Sequence, residues 1–256
     1  MEAPGFRQGE VVRFARDGFH VVRGLAPAEL CERMLTVAQR DLEAGVGPVE
    51  YESDVGYPGA PPARNAPGGT TVRRLLRAYD RDPVVRQWAV SRTVGDCLRA
   101  LLGPHVELSQ PHHNCIMTKH PAHSSVTGWH RDLRYWAFER PQLVSVWLAL
   151  GRETLENGCL RVLPGTHAMD IDAARLDAAQ FLRAEAAANR PLLDRAVNVE
   201  LERGDVLFFH ARLFHAAGAN RTSQTKYSVV FTYHAADNRP LAGTRSASLP
   251  EVTLTA

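Results

Sequence analysis

The sequence predicts a mainly β protein with a helical N-terminal part. Three observations carry that reading. Apolar residues recur at helical spacing up to about residue 102, the texture changes to short alternating runs from about residue 105, and turn signals such as Asn157-Gly158, Pro164-Gly165 and Arg203-Gly204-Asp205 separate those runs. Several short strands at such spacing imply a sandwich or barrel.

Residues 9–17 place Val11, Phe14 and Ala15 on one helical face, and Gly18 stops the helix. Residues 19–22 (FHVV) read as a short strand. Pro27 opens a second helix to about Ala44, with Leu30, Met34, Val37, Ala38 and Asp41 at helical spacing, and Gly45 ends it. Residues 45–69 are dense in Gly and Pro, so they form a long irregular loop. A loop of that length inside a domain is often functional, for example as a lid. Helical patterns resume over 72–78 and 82–102. The strand candidates are 113–119, 125–130, 142–150, 158–163, 197–201, 205–210 and 226–234, interrupted by an Ala-rich helical insert over about 172–188. The chain therefore reads as one domain over 1–256: a helical part at about 9–102, a β core at about 105–234 and a C-terminal tail over 235–256.

Composition limits the function. Apolar residues make up 45% of the 256 and charged residues 23%, enough to build a core. The formal net charge is +2 with no long basic block, which argues against nucleic acid as a partner. No apolar run reaches the length of a membrane span. The N-terminus carries Glu2 and Glu10 and lacks an apolar core, so no secretory signal is expected and the reading is a soluble, cytoplasmic protein. Cys31, Cys97, Cys115 and Cys159 form no C-x-x-C pair and read as reduced, buried thiols. Neither a dinucleotide-binding glycine fingerprint, nor a phosphate-binding loop, nor a G-x-S-x-G elbow occurs.

Of the eleven histidines, His112, His113, His120 and His123 lack a carboxylate at a useful spacing and read as strand-end and loop residues. The segment Thr127-Gly128-Trp129-His130-Arg131-Asp132 differs. On a strand, side chains two apart share a face, so His130 and Asp132 can supply two ligands to one divalent metal while Arg131 points away. A third ligand can come from the distant segment 204–221, where His210 and His215 both stand. Two histidines and one carboxylate on one face of an octahedron leave room for a bidentate co-substrate and dioxygen, the arrangement of non-haem Fe(II) oxygenases.

In combination, HRDLRYWAF, LVSVWLAL, NGCLRVLPGTH and GDVLFFHARLFHAAGANRT, in this order, resemble the phytanoyl-CoA dioxygenase family over roughly residues 9–234. The resemblance implies a double-stranded β-helix, a jelly-roll or cupin-like core with the N-terminal helices packed on it. It implies Fe(II) as cofactor, 2-oxoglutarate and dioxygen as co-substrates, and oxidation of a small organic molecule, most simply hydroxylation, with release of succinate and CO2. His130, Asp132 and His215 become the metal ligands, with His210 in a supporting place. The family's arginine for the far carboxylate of 2-oxoglutarate falls eleven residues beyond the distal histidine, where this chain has Lys226, and Arg221 in the turn is the other candidate. Lysine is a point charge and cannot make the planar fork of arginine. Ala217 replaces a family serine or threonine. Trp147 matches an aromatic beside 2-oxoglutarate, and Cys115 and Arg74 fall near other contact positions. Related halogenases lack the metal carboxylate that Asp132 supplies here. Lys226 keeps open a cupin-like metalloenzyme that does not use 2-oxoglutarate, and a third reading is a non-catalytic sensor on the same fold.

Overall fold

The computed structural model describes residues 6–255. Helix α1 (Gln8–Asp17) ends on Gly18, whose φ of 81° takes the left-handed turn that returns the chain into β1 (Phe19–Val22). Helix α2 (Ala28–Glu43) buries Cys31, Met34, Val37 and Ala38 on one face, as their spacing requires. The polar member of that stripe, Asp41, is also buried, and it pairs with Arg81 at 2.9 Å. Arg81 also donates to the carbonyls of Leu76, Val46 and Pro48, which ties the loop after α2 to the sheet.

Two expectations fail in the next stretch. The loop after α2 contains a strand, β2 (Val49–Tyr51), and residues 72–76 form β3 (Val72–Leu76) rather than a helix. Alternate residues of β3, Arg73 and Leu75, are buried. An arginine at a buried position hides the period-2 pattern from any reading based on apolarity. After the single turn α3 (Ala78–Arg81), the expected helix over 82–102 divides into α4 (Pro83–Ala89) and α5 (Arg92–Leu102). Two caps set the division: the Asp82 carboxylate accepts from Val84 N–H, with Pro83 in the first turn, and the Ser91 hydroxyl accepts from Val94 N–H and starts a new helix.

The β core follows as β4 (Val106–Leu108), β5 (Cys115–Lys119), β6 (Thr127–His130), β7 (Leu143–Ala149) and β8 (Leu160–Val162). The Ala-rich segment then makes one 3-10 turn at Ala173–Arg175 and another at Ala187–Asn189, not a helix. Asp177 is the cause: its carboxylate accepts the N–H groups of Ala179 and Phe181, and its own N–H donates to Phe181 O, so a tight turn captures the donors a helix would need. The chain continues through α6 (Arg190–Leu193), β9 (Val197–Val199), β10 (Val206–His210), β11 (His215–Ala217), β12 (Lys226–Ala235) and β13 (Val252–Thr253). The tail beyond 235 is thus partly ordered into the sheet, because β13 pairs with β4.

All pairings are antiparallel. The larger sheet runs β1-β10-β7-β12-β5-β3-β2, with β4 and β13 added beside β12, and the smaller runs β6-β11-β8-β9. Residues of one parity on the central strands (Val146, Leu148, Phe208, Val229, Phe231) pack against the helices. Those of the other parity (Trp147, Leu207, Phe209, Val230) pack against Leu160, Val162 and Val199 of the smaller sheet. This is the expected jelly-roll with N-terminal helices laid on its outer face. All seven residues of β7 are buried, since it is covered on both sides. Among the described residues no helix is long and apolar enough to cross a membrane.

Candidate metal centre

His130 ends β6, and His215 opens β11 directly opposite it in the ladder. Register therefore brings the two rings to 4.2 Å. Asp132 lies past the end of β6, at the start of a 3-10 turn over Asp132–Tyr135. The shared strand face invoked for His130 and Asp132 is thus replaced by a turn that swings the carboxylate back. Asp132 Oδ1 lies 3.8 Å from His130 Nε2 and 3.6 Å from His215 Nε2. The three residues are buried, and their ligand atoms lie within 4.8 Å of one another.

The tautomers follow from the partners. His130 Nδ1 lies 2.9 Å from Gly128 O and His215 Nδ1 lies 3.0 Å from Leu213 O. A carbonyl only accepts, so both Nδ1 atoms carry the hydrogen and both Nε2 atoms present lone pairs to the centre. Burial pushes His130 well below the usual imidazole range, and His215 nearby adds to the shift. Burial also raises Asp132, against the pull of His215 and Arg74. A buried carboxylate with no Lys or Arg in ion-pair contact among the described residues, facing two nitrogen lone pairs, is a donor set complementary to a divalent metal. These residues fit one.

His113 was missed by the sequence reading. Its Nε2 lies 3.4 Å from Asp132 Oδ1 and its Nδ1 3.2 Å from the Ser145 hydroxyl. Its backbone φ of 29° is uncommon for a residue with a Cβ, and such strain gathers at functional sites. The partner that gives it meaning stands nineteen positions later in sequence, beyond any local pattern. His210 stays outside the cluster: its Nδ1 accepts from Arg212 N–H and its ring lies tilted against His167 at 5.4 Å.

Two cavities flank the centre. The outer one, of about 410 Å³, is bounded by His130 and Asp132 below. Val55, Gly56 and Tyr57 of the 45–69 loop and Ala179 and Phe181 of the insert also line it. The loop expected as a lid and the Ala-rich insert therefore both reach the site, and the Tyr57 and Phe181 rings meet edge-on at 5.8 Å. The inner chamber lies between the sheets, bounded by His130 and His215 at one end and by Lys119 and Lys226 among its other walls. Trp147 and Ala217 line it. Arg74, on a strand and not a helix, lines both cavities. Cys115 packs beside Trp147 and borders a neighbouring cavity instead, and burial pushes its thiol up to about 11. Arg221 lines neither of the two cavities.

Lys226 is not a free cation. Its Nζ donates to Glu153 Oε2 at 2.9 Å, while Glu153 Oε1 accepts from the Ser228 hydroxyl at 2.6 Å and from Trp147 Nε1 at 3.0 Å. Glu153 is fully buried. Nothing near Glu153 in sequence announces this, because Lys226 and Ser228 come from β12. Lys119 also reaches the chamber, donating to Ser125 O at 3.0 Å and Gly218 O at 2.7 Å. Gly158 permits that approach: a Cβ there would stand 2.4 Å from Gly218 O.

The sequence model for phytanoyl-CoA dioxygenase (PhyH) matches residues 14–228. A probable phytanoyl-CoA dioxygenase of Caenorhabditis elegans is 29% identical over 170 residues, 62% of this chain and 53% of that protein. The peroxisomal phytanoyl-CoA dioxygenase of Rattus norvegicus is 25% identical over 244 residues, 88% of this chain and 67% of that protein. The chain spans about half the length of the nematode relative. The crystal structure of the epimerase SnoN in complex with Fe3+, alpha ketoglutarate and nogalamycin RO superposes with a TM-score of 0.73 at 22% identity, covering 95% of this chain and 90% of that one.

Proposed function

From a chain that belongs to the phytanoyl-CoA dioxygenase family, we propose an Fe(II)- and 2-oxoglutarate-dependent dioxygenase that oxidises, most simply by hydroxylation, a small organic molecule. The observation that carries the reading is the meeting of His130, Asp132 and His215 between a cationic inner chamber and a wider outer cavity. The family match and the relatives favour neither a cupin-like enzyme without 2-oxoglutarate nor a sensor.

His130, Asp132 and His215 hold the metal, with Nδ1 of each histidine fixed by a backbone carbonyl. Iron(II) bound there supplies the redox chemistry that couples dioxygen reduction to decarboxylation of 2-oxoglutarate and oxidation of the prime substrate. The inner chamber takes the co-substrate, with Trp147 as a wall, Arg74 at the junction of the two cavities, Cys115 packed behind Trp147, and the far carboxylate at the Lys226 end. The outer cavity takes the prime substrate, and Tyr57 and Phe181 exclude water above it. His113 holds Asp132 and Ser145 in place from the side. We place this activity in the cytoplasm.

The test is iron-dependent release of succinate from 2-oxoglutarate. The account expects release with Fe(II), none without it, and none from Asp132→Ala. Release that survives Asp132→Ala would overturn the assignment of the centre.

A further inference from the structure

Four cationic side chains line the inner chamber: Arg73, Arg74, Lys119 and Lys226. Three carboxylates answer them. Glu50 lies 3.4 Å from both Arg73 and Arg74, Glu52 lies 3.6 Å from Arg73, and Glu153 takes Lys226. Lys119 is the cation left over. It is 6% exposed and among the described residues no carboxylate lies within ion-pair distance; its two partners are neutral backbone carbonyls. A buried, uncompensated ammonium is costly, so the position calls for an anion. The charges match one kind of guest. A divalent metal on two neutral imidazoles and one carboxylate leaves +1 at one end of the chamber, and Lys119 leaves +1 among its other walls, together the complement of a dianion.

We propose that Lys119, rather than Lys226, is the counter-ion for the distal carboxylate of the dianionic 2-oxo acid, and that Glu153 holds Lys226 as a neutral pair forming the floor of that subsite. The assignment rests on the functional reading above and adds to it an anchor from β5, on the strand beside β12. Two facts favour Lys119 over its neighbour. Lys226 already spends one donor and its whole charge on Glu153, whereas Lys119 has only carbonyls to leave or share. Burial, with Arg73 and Lys226 nearby, also lowers the Lys119 ammonium to about 7, against the pull of Glu52 and Glu153. These four are the charged groups facing it, from β3, β12, the turn after β2 and the loop after β7. An incoming carboxylate restores the ammonium, so binding above neutral pH takes up a proton at Nζ.

The experiment is calorimetric titration of 2-oxoglutarate into the Mn(II)-loaded full chain at pH 8, in Tris and in Hepes, whose different heats of ionisation report proton exchange. The parent is expected to bind with proton uptake, and uptake should vanish at pH 6, where Lys119 is already charged. Lys119→Met is expected to weaken binding roughly ten- to hundredfold and to abolish the uptake, with Lys119→Arg recovering part of the affinity. Binding to Lys119→Met within about threefold of the parent overturns the proposal. So does a parent that binds without proton uptake, because Lys119 would then serve only to staple the carbonyls of Ser125 and Gly218; this readout stands even where the variant fails to fold. A parent that binds Mn(II) but no 2-oxoglutarate overturns the functional reading itself, and this anchor with it.

Discussion

Removing Glu153 should destabilise the protein far more than removing a surface carboxylate. In Glu153→Ala the Lys226 ammonium, 4% exposed, loses its one ion-pair partner among the described residues, and the Ser228 hydroxyl and Trp147 Nε1–H lose their acceptor. Breaking one side of a buried pair costs about 3–5 kcal/mol. Two orphaned donors add to it, though not in full, because all three bonds meet on one carboxylate. For a chain of this size each kcal/mol lowers the melting temperature by about 2–4 °C, so the drop should be roughly 6–20 °C. Lys226→Met should cost less, since Glu153 keeps its two neutral donors. Lys226→Met together with Glu153→Met removes both charges at similar volume and should lie within about 2 kcal/mol of the parent. Urea unfolding of the four proteins, followed by circular dichroism, gives the three costs side by side. A Glu153→Ala cost below about 1 kcal/mol would mean that Glu153 and Lys226 behave as a solvated pair and not as a buried one.

Three further outcomes follow from the same geometry. His130→Ala, Asp132→Ala and His215→Ala should each weaken Mn(II) binding by more than about a hundredfold, whereas His210→Ala should stay within about threefold; calorimetry with the metal alone separates them. Lys119 has a folded pKa of about 7 against an ordinary 10.5, so between those values the unfolded chain holds the extra proton. Its cost to stability is full below pH 7 and fades as pH rises towards 10.5; relative to Lys119→Met, the parent should gain roughly 1–3 kcal/mol between pH 7 and pH 9 in urea unfolding. Asp132→Gly should lose activity without gaining halide transfer, because the position is enclosed by His113 and Ser145 and not by a chloride pocket; mass spectrometry of the products checks it.

The parts of the fold that alternate cleanly were legible. Helix α1 buries only Phe14 of its expected face and leaves Ala15 exposed, whereas strands β7 and β12 declare themselves through residue type, as does the apolar stripe of α2. Strand β3 does not, because its buried positions include Arg73, whose partners Ser125 and Thr127 lie some fifty residues away. Strand β11 has three residues, too few to show a period, although its histidine was legible from the segment around it. The Ala-rich insert misled because propensity is local and weak, while a single Asp177 carboxylate captures two backbone donors. The metal triad could be read since its residue types are scarce and their chemistry is specific. The charge balance of the inner chamber could not. It depends on which acid meets which base across the sheet, and Lys226 and Glu153 stand 73 positions apart.

Held as proposed, a metal on His130, Asp132 and His215 stays open to chelation by a 2-oxo acid. Anaerobic titration of 2-oxoglutarate into the Fe(II)-loaded protein tests it most directly, since a 2-oxo acid chelated to Fe(II) gives a charge-transfer absorption in the visible. The account predicts a band that saturates at one 2-oxoglutarate per iron and is absent from His215→Ala. Iron bound at the centre with no band at saturating 2-oxoglutarate, or a band unchanged in His215→Ala, would contradict it.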